Sequence, residues 1–188
     1  YCQLGKNAPQ TLERRVYVPI EAVLDELCRR IAEGLAADAI TLSGSGEPTL
    51  HSELGVLIDR IKALTDIPVA VITNGTLLSL PEVRRDCAKA DIVLPSLDAG
   101  DEATFRRLNN PHSDLDFNTF VEGLCRFRKE YSGQIWLEVF FCTSINTDDD
   151  NIRKIACLVD RIHPDKIQLN TAVRPTAHAE SLFVPPEQ

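Results

Sequence analysis

The sequence predicts an α/β fold in which helices cover a parallel sheet, and two observations lead to this prediction. Five segments with the apolar character of strands alternate with five segments of helical spacing along 188 residues. Three of the strand segments are nearly continuous apolar runs, as is typical of strands buried on both faces of a parallel sheet. Parallel strands need connections of helical length, and the alternation supplies them. The chain length favours one domain with a substantial core.

The order of the elements follows from apolar periodicity and from residues that start and stop helices. Gly34 is expected near the end of the first helix, and the spacing of Ser79 and Glu82 predicts a capping box at the third. Acidic residues from Asp148 are expected at the start of the fifth helix. A polar loop is expected after residue 98, and a tail without periodicity from Arg174. The predicted strands are 39–43, 69–72, 92–94, 134–141 and 166–170, and the predicted helices are 20–35, 50–64, 79 onward, 117–124 and 147–162.

The turns that follow the strands are predicted to emerge on one rim of the sheet, because parallel strands share a direction. Ligands bind at this rim both in open parallel sheets and in barrels, two architectures that periodicity does not distinguish. The strand at 39–43 should form an open edge, covered by further residues, by the segment 1–18 or by a neighbouring chain. The rim turns are 43–48, 73–75, 96–98, 142–146 and 170–171, and the turns on the opposite side are 37–38, 66–68, 89–91, 132–133 and 164–165.

Charge and cysteine content argue against several classes of protein. The net charge of -8 argues against a strongly nucleic-acid-binding surface, which usually concentrates Lys and Arg on one face. No apolar run approaches the roughly 18 residues of a membrane helix, and no signal-peptide pattern is present. The six cysteines include no CxxC pair, and all except Cys2 lie in apolar segments, where a thiol behaves as a small buried hydrophobe. These features predict a protein of the reducing cytoplasm.

Glycine, carboxylate and amide residues are concentrated in the rim turns. The glycines at 44 and 46 allow unusual backbone angles and close approach of a ligand. Glu47, followed by Pro48, is well placed to hold an ammonium group. Asn74 and Asn170 can donate and accept hydrogen bonds, which suits adenine or ribose edges. The candidate ligand-binding residues of the rim are Gly44, Ser45, Gly46, Glu47, Pro48, Asn74, Ser96, Asp98 and Asn170.

Two of these motifs, and a third at the start of the chain, resemble those of radical S-adenosylmethionine (SAM) enzymes. The segment 44–48 resembles the family's glycine–glycine–glutamate motif, whose backbone holds the amino group of SAM. Tyr1 and Cys2 resemble the end of the Cx3CxφC motif, in which φ is aromatic and three thiolates bind three irons of a [4Fe–4S] cluster. Ser96 matches a position on the fourth barrel strand that often contacts SAM. With Thr-Asn-Gly, Ser-Leu-Asp-Ala and a late Arg-Pro, the pattern is most similar to the Fe–S proteins related to the tRNA wybutosine-synthesis radical enzymes.

The resemblance implies a partial (β/α)6 barrel of parallel strands, of which this chain supplies strands two to six. The first strand and the start of the cluster loop would precede Tyr1, residues 1–175 would form the barrel, and 176–188 an irregular tail. The implied cofactors are SAM, contacted by the rim residues and Tyr1, and a [4Fe–4S] cluster with Cys2 as one iron ligand. Because one thiolate cannot hold the cluster, this chain alone is expected to be inactive.

The reaction that the resemblance implies is reductive cleavage of SAM, followed by abstraction of hydrogen from an unknown substrate. A tRNA base is the nearest family analogy for the substrate, although fold-level analogy does not fix it. A flavodoxin or a ferredoxin would supply the electron, and no membrane is involved.

Two other functions stay open on the sequence alone. An iron-free α/β-barrel lyase or aldolase would need a Schiff-base lysine or metal ligands inside the strands, and the only strand lysine, Lys166, lies at the end away from the rim. A non-catalytic binding scaffold would need neither. Asp98, Glu138 and Lys6 could serve in acid–base chemistry, but each has an ordinary role at a solvated surface or strand end. No catalytic residue is therefore predicted.

Overall fold

The computed structural model of the protein describes residues 10–143 and 145–171, and the predicted tail from Arg174 lies outside them. The described strands are β1 (Ile40–Leu42), β2 (Val69–Thr73), β3 (Ile92–Pro95), β4 (Gln134–Phe141) and β5 (Lys166–Thr171). The described α-helices are α1 (Ile20–Ala32), α2 (Leu54–Leu64), α3 (Pro81–Cys87), α4 (Glu102–Asn109), α5 (Phe117–Glu130) and α6 (Asp149–Ile162). Short 3₁₀ helices, Pro48–Leu50 and Thr76–Ser79, follow the turns after β1 and β2.

The five strands form one parallel sheet in the order β1-β2-β3-β4-β5, which confirms the predicted α/β fold. Each strand pairs with the next one along the chain, so the direction of winding never reverses within the described sheet. An open doubly wound sheet contains such a reversal, whereas a barrel does not. Right-handed connections in a sheet of this order place the helices on the same face. The strand order therefore indicates barrel-type winding, with helices outside and a second, inner face.

Side chains of β4 alternate between these two faces. Ile135 and Leu137 are buried in the core cluster together with Leu158 and Ile162 of α6, which identifies the helix-covered face. The opposite side chains of β4 and β5, which the strand register brings together, are only partly buried or exposed; they are Trp136, Glu138, Phe140, Lys166, Gln168 and Asn170. Barrel interiors are usually filled with branched apolar side chains. Four of these six side chains are polar or charged, so the inner face beside β4 and β5 can accommodate a polar ligand.

Aspartate side chains begin three of the helices. Asp101, Asp116 and Asp148 each accept a hydrogen bond from the backbone N–H three residues later, at the N-caps of α4, α5 and α6. For Asp148 this confirms the predicted acidic start of the helix. The sequence pattern did not predict α4, which lies in the expected polar loop. Only Phe105 and Leu108 of its eight residues are buried, so its apolar stripe is too short to show a period.

The predicted capping box at Ser79 and Glu82 is wrong. The N-cap residue of α3 is Leu80, and its side chain makes no capping hydrogen bond. Pro81 begins the helix instead, since its fixed φ and its missing N–H suit the first helical position. The helix predicted from residue 50 begins only at residue 54, after the first 3₁₀ helix. Gly34 follows α1 with a φ of 88°, a left-handed conformation that ends helices, as predicted.

The strand β1 lies at one edge of the described sheet, as predicted. The described backbone pairing of the segment 10–18 joins Arg15 to His51, beyond the end of β1, so it does not cover this edge. Arg14 holds this segment against the turn after β1 and against α3. It donates hydrogen bonds to the carbonyls of Thr49 and His51 and to the carboxylate of Asp86, at 2.9, 3.2 and 2.5 Å. In the described part of the chain, no helix is both long and apolar enough to span a membrane.

Candidate functional site

The five predicted rim turns follow the carboxyl ends of the five strands, and the parallel pairing brings them to the same side of the sheet. Residue 144 of the fourth turn lies outside the described residues. The rim combines a glycine turn after β1 with amide, hydroxyl and carboxyl side chains after the other strands. A concentration of such groups at this end of a parallel sheet is the usual setting of a ligand site.

The glycine turn after β1 is open to its surroundings. Gly44, Ser45 and Gly46 are exposed, and no other part of the described protein comes within 4 Å of where a Cβ would stand at either glycine. Neither glycine has a positive φ, so the unusual backbone angles expected from the sequence are not found. Neither packing nor a positive φ requires glycine here, and the absence of side chains leaves the backbone exposed. This geometry fits a ligand that hydrogen-bonds to the main chain.

The Glu47 carboxylate joins the glycine turn to the end of β2. Its Oε1 accepts hydrogen bonds from the Thr49 N–H, the Thr49 hydroxyl and the Thr73 hydroxyl, at 3.1, 2.6 and 2.5 Å. Its Oε2 accepts one hydrogen bond, from the Asn74 N–H at 2.7 Å. A carboxylate offers about four lone pairs, two on each oxygen. Oε1 is therefore saturated, whereas Oε2 keeps capacity for one further donor.

The predicted ligand residue Asn74 is exposed at the end of β2, next to this carboxylate. Its side-chain oxygen accepts hydrogen bonds from the Thr76 N–H and the Thr76 hydroxyl, at 3.0 and 2.7 Å. This oxygen therefore stabilises the following 3₁₀ turn. The amide nitrogen of Asn74 has no partner among the described residues and can still donate to a ligand.

Ser96 and Asn170 lie on the same stretch of the rim, on either side of Glu138. Ser96 pairs with Glu138 across the sheet, and the Asn170 amide donates a hydrogen bond to the Glu138 carboxylate at 2.9 Å. The sequence alone indicates for Glu138 no more than an ordinary strand-end carboxylate that could serve in acid–base chemistry. The structure places it between two predicted ligand residues, with one described hydrogen bond to its side chain. This carboxylate therefore has most of its acceptor capacity available.

Asp98, in contrast, is only 2% exposed. Its two carboxylate oxygens accept hydrogen bonds from the Phe140 N–H at 2.8 Å and from the Asn109 amide at 2.9 Å. These two hydrogen bonds lie inside the protein and connect the turn after β3 to β4 and α4. Its predicted role in ligand binding stays a prediction, and the described contacts indicate a structural role.

Asn146 is a buried polar residue of the rim, 0% exposed, that the sequence pattern did not single out. Its side-chain oxygen accepts a hydrogen bond from the Cys142 N–H at 2.7 Å. Its amide donates to the carbonyls of Asp98 and Phe140, at 2.8 and 2.7 Å. Asn146 therefore closes the turn after β4 and holds it against the turn after β3. Only its position in a predicted rim turn could have singled it out.

The residues predicted to bind the cluster, Tyr1 and Cys2, lie outside the described residues, as does Lys6. Among the described residues, no group of three His, Cys, Asp or Glu side chains could hold a metal ion. Burial raises the pKa of the Cys142 thiol to about 11 and also raises the pKa of Cys87 and Cys125, which keeps these thiols protonated near neutral pH.

The expectation that every cysteine except Cys2 is buried is wrong for Cys28 and Cys157. Both lie on exposed positions of helices, α1 and α6 respectively. Each belongs to a segment of helical apolar spacing, but not to the apolar stripe itself. A helix buries only one stripe of its surface, and a small residue outside that stripe meets solvent.

A family model described as the radical SAM superfamily matches residues 1–157 of the chain. A protein named GTPase Obg from Brachyspira hyodysenteriae is 41% identical over 96% of this chain and 27% of its own length. A UPF0026 protein from Methanocaldococcus jannaschii is 33% identical over 100% of this chain and 58% of its own length. The chain thus spans between about a quarter and two thirds of the length of the curated relatives it matches.

Solved structures share the fold, and two of them illustrate it. One is a domain of a pyruvate-formate lyase-activating enzyme from Bacteroides vulgatus, with a TM-score of 0.61 and 23% identity over 80% of this chain and 88% of that chain. The other is a radical SAM methyltransferase from Sphaerobacter thermophilus, with a TM-score of 0.64 and 19% identity over 89% of this chain and 50% of that chain. At these identities the likeness concerns the fold, and it supports the barrel-type winding inferred from strand order.

Proposed function

The chain belongs to the radical SAM superfamily, and we propose on that premise that it is part of an enzyme that cleaves SAM reductively and abstracts hydrogen from a substrate. The observation that carries the proposal is the exposed glycine turn beside the Glu47 carboxylate. An exposed backbone together with an acceptor on Oε2 suits an ammonium group, which brings only hydrogen-bond donors. When bound, SAM and a low-potential [4Fe–4S] cluster supply the radical chemistry, and the protein binds them, orients them and excludes solvent.

The other rim residues would orient the rest of SAM. The Asn74 amide can donate a hydrogen bond, and the Ser96 hydroxyl and the Asn170 carbonyl can accept one, which suits ribose and adenine edges. Asn170 is held by its hydrogen bond to Glu138, so its carbonyl has a fixed direction. These residues bind and orient, and the proposal assigns no proton transfer to any of them.

The proposed cluster ligands are Cys2, with Tyr1 beside it, and two cysteines that precede it in the whole protein. This assignment rests on the family motif, because three thiolates leave one iron open for SAM. A flavodoxin or ferredoxin is the proposed electron donor, and the cytoplasm is the proposed compartment, since exposed thiols such as Cys28 persist in a reducing environment.

The substrate would lie against the polar inner face of β4 and β5. Glu138 is the rim carboxylate with the fewest described partners, so a substrate with N–H donors suits this face. A tRNA base, by analogy with the wybutosine-synthesis enzymes, has such donors. The net charge of -8 gives RNA binding no further support from this chain, so the tRNA assignment rests on the resemblance alone.

A Schiff-base lyase is less well supported. The Lys166 ammonium lies 3.8 Å from the centre of the Trp136 ring, at the start of β5 and so away from the rim. A Schiff base needs the amine beside the bound substrate, and this lysine lies at the opposite end of its strand from the rim.

Anaerobic reconstitution of the whole protein with iron and sulfide tests the proposal, with cluster absorbance and 5′-deoxyadenosine formation as the measurements. We expect a cluster and 5′-deoxyadenosine in the wild type, and loss of both in Cys2→Ser. Cys157→Ser is the matched control, because this exposed thiol on α6 should leave both unchanged. A Cys2→Ser protein that still forms the cluster and cleaves SAM would contradict the assignment.

A further inference from the structure

The Thr73 hydroxyl connects the glycine turn after β1 to the end of β2. It donates a hydrogen bond to Glu47 Oε1 at 2.5 Å and accepts one from the Gly75 N–H at 3.0 Å. A hydroxyl has a single proton, and at Thr73 the hydroxyl directs it to the carboxylate. Thr73 is only 2% exposed, so water cannot replace this donor without cost.

The other donor group on Glu47 Oε1 belongs to Thr49, which is two residues away along the same turn. Thr49 therefore shapes the turn locally and does not connect it to the sheet. Asn74 also connects the carboxylate to the end of β2, but through a backbone N–H that any residue would provide. Thr73 is thus the one side chain of β2 with a described hydrogen bond to Glu47. Together with the Asn74 N–H, it holds the carboxylate in one orientation relative to the sheet.

We propose that Thr73 is a positioning residue for the ammonium group of SAM. It acts through Glu47: its hydrogen bond to Oε1 ties the carboxylate to β2 and so keeps the remaining acceptor position of Oε2 directed at the ligand. This inference rests on the proposed function, since it assumes that the ammonium group of SAM binds beside the glycine turn. Thr73 itself does not contact the ligand. Its effect is confined to the part of SAM that carries the ammonium group.

Isothermal titration of the whole, cluster-reconstituted protein with SAM and with 5′-methylthioadenosine tests the proposal. Both ligands contain the thioadenosine part, but only SAM carries the ammonium group. We expect Thr73→Val to lower the affinity for SAM about tenfold, because it removes a hydrogen bond to a charged group. Its affinity for 5′-methylthioadenosine should stay within about twofold of the wild type. Thr73→Ser restores the hydroxyl and should bring the affinity for SAM back to within about threefold.

Three results would overturn the inference. A Thr73→Val protein that binds SAM like the wild type would contradict it, and one that loses affinity for both ligands equally would indicate a purely structural role. Failure of Thr73→Ser to restore SAM binding would also contradict it. If Thr73→Val does not fold, Thr73→Ala carries the same expectations without adding bulk. A wild-type protein that does not bind SAM would instead refute the proposed function, so the two failures are distinguishable.

Discussion

Glu47 and Asp98 are both carboxylates in turns that follow strands, yet their surroundings differ. Glu47 is half-buried beside exposed glycines and keeps acceptor capacity on Oε2. Asp98 is 2% exposed, and each of its oxygens accepts a hydrogen bond from inside the protein. Each carboxylate connects neighbouring strands, but only Glu47 remains open to a ligand. A carboxylate at the end of a parallel strand can thus serve binding or stability, and its burial and acceptor capacity decide which.

The largest effect that this comparison predicts is on stability. Asp98→Ala leaves the Phe140 N–H and the Asn109 amide without their buried acceptor. Each unpaired buried donor costs about 1–3 kcal/mol, so we expect a loss of roughly 3 kcal/mol in the free energy of unfolding. Urea unfolding followed by circular dichroism measures it.

Glu138→Gln is the matched control for Asp98→Ala, because the Glu138 carboxylate accepts one described hydrogen bond and is not buried. We expect this control to change the free energy of unfolding by no more than about 0.5 kcal/mol. Equal effects of the two substitutions would show that burial does not separate structural from ligand-binding carboxylates on this rim.

The second-largest effect concerns the glycine turn beside Glu47, the carboxylate that remains open to a ligand. Gly46→Val adds a side chain to a turn where no other part of the described protein lies within 4 Å of the Cβ position. The fold should therefore tolerate it, with a change below about 1 kcal/mol. The added bulk should block a ligand from the backbone, and we expect at least a tenfold loss of SAM affinity, or about 1.4 kcal/mol, by calorimetry. Unchanged SAM binding would contradict the assignment of the turn.

Periodicity and turn composition were sufficient to predict the parallel sheet, its strands and the side on which the turns gather. They could not predict α4, because two buried residues do not make a measurable helical stripe. The capping box failed because Pro81 begins α3 without a side-chain cap. Each error concerns a feature that a single local interaction decides, whereas the sheet depends on many apolar residues at once.

The candidate site was only partly predictable for a related reason. The rim position of Asp98 follows from the sequence, but its burial depends on Phe140 and Asn109, which contact it from other elements. Asn146 bonds with partners up to 48 residues away, which no local pattern reports. Glu47 was identified correctly as a rim carboxylate, but its four donors come from two different turns. Hydrogen bonds between residues distant in sequence, rather than residue types, decide which of these carboxylates is structural and which remains open to a ligand.

The smallest effect concerns Asp101, a surface carboxylate three residues after Asp98. The pKa of Asp101 is lowered to about 2. The main cause is the hydrogen bond from the Lys154 ammonium, and the second is the hydrogen bond from the Thr104 N–H. The folded pKa lies below the unfolded value of about 3.9, so the contribution to stability is present above pH 4 and is lost as the pH falls towards about 2. Because the side chain is 37% exposed and its ion pair is screened by solvent, we expect at most about 1 kcal/mol.

Asp101→Asn isolates this contribution, because asparagine keeps the N-cap of α4 while removing the charge. The wild type should be more stable than the variant at pH 6, and the difference should shrink as the pH falls from about 4 to about 2. Urea unfolding at several pH values measures it. Lys154 also pairs with Asp150 at 2.6 Å, so the ammonium keeps a partner in the variant, which limits the effect further. A difference that does not depend on pH would mean that Asp101 acts through its capping geometry alone, as an uncharged cap would.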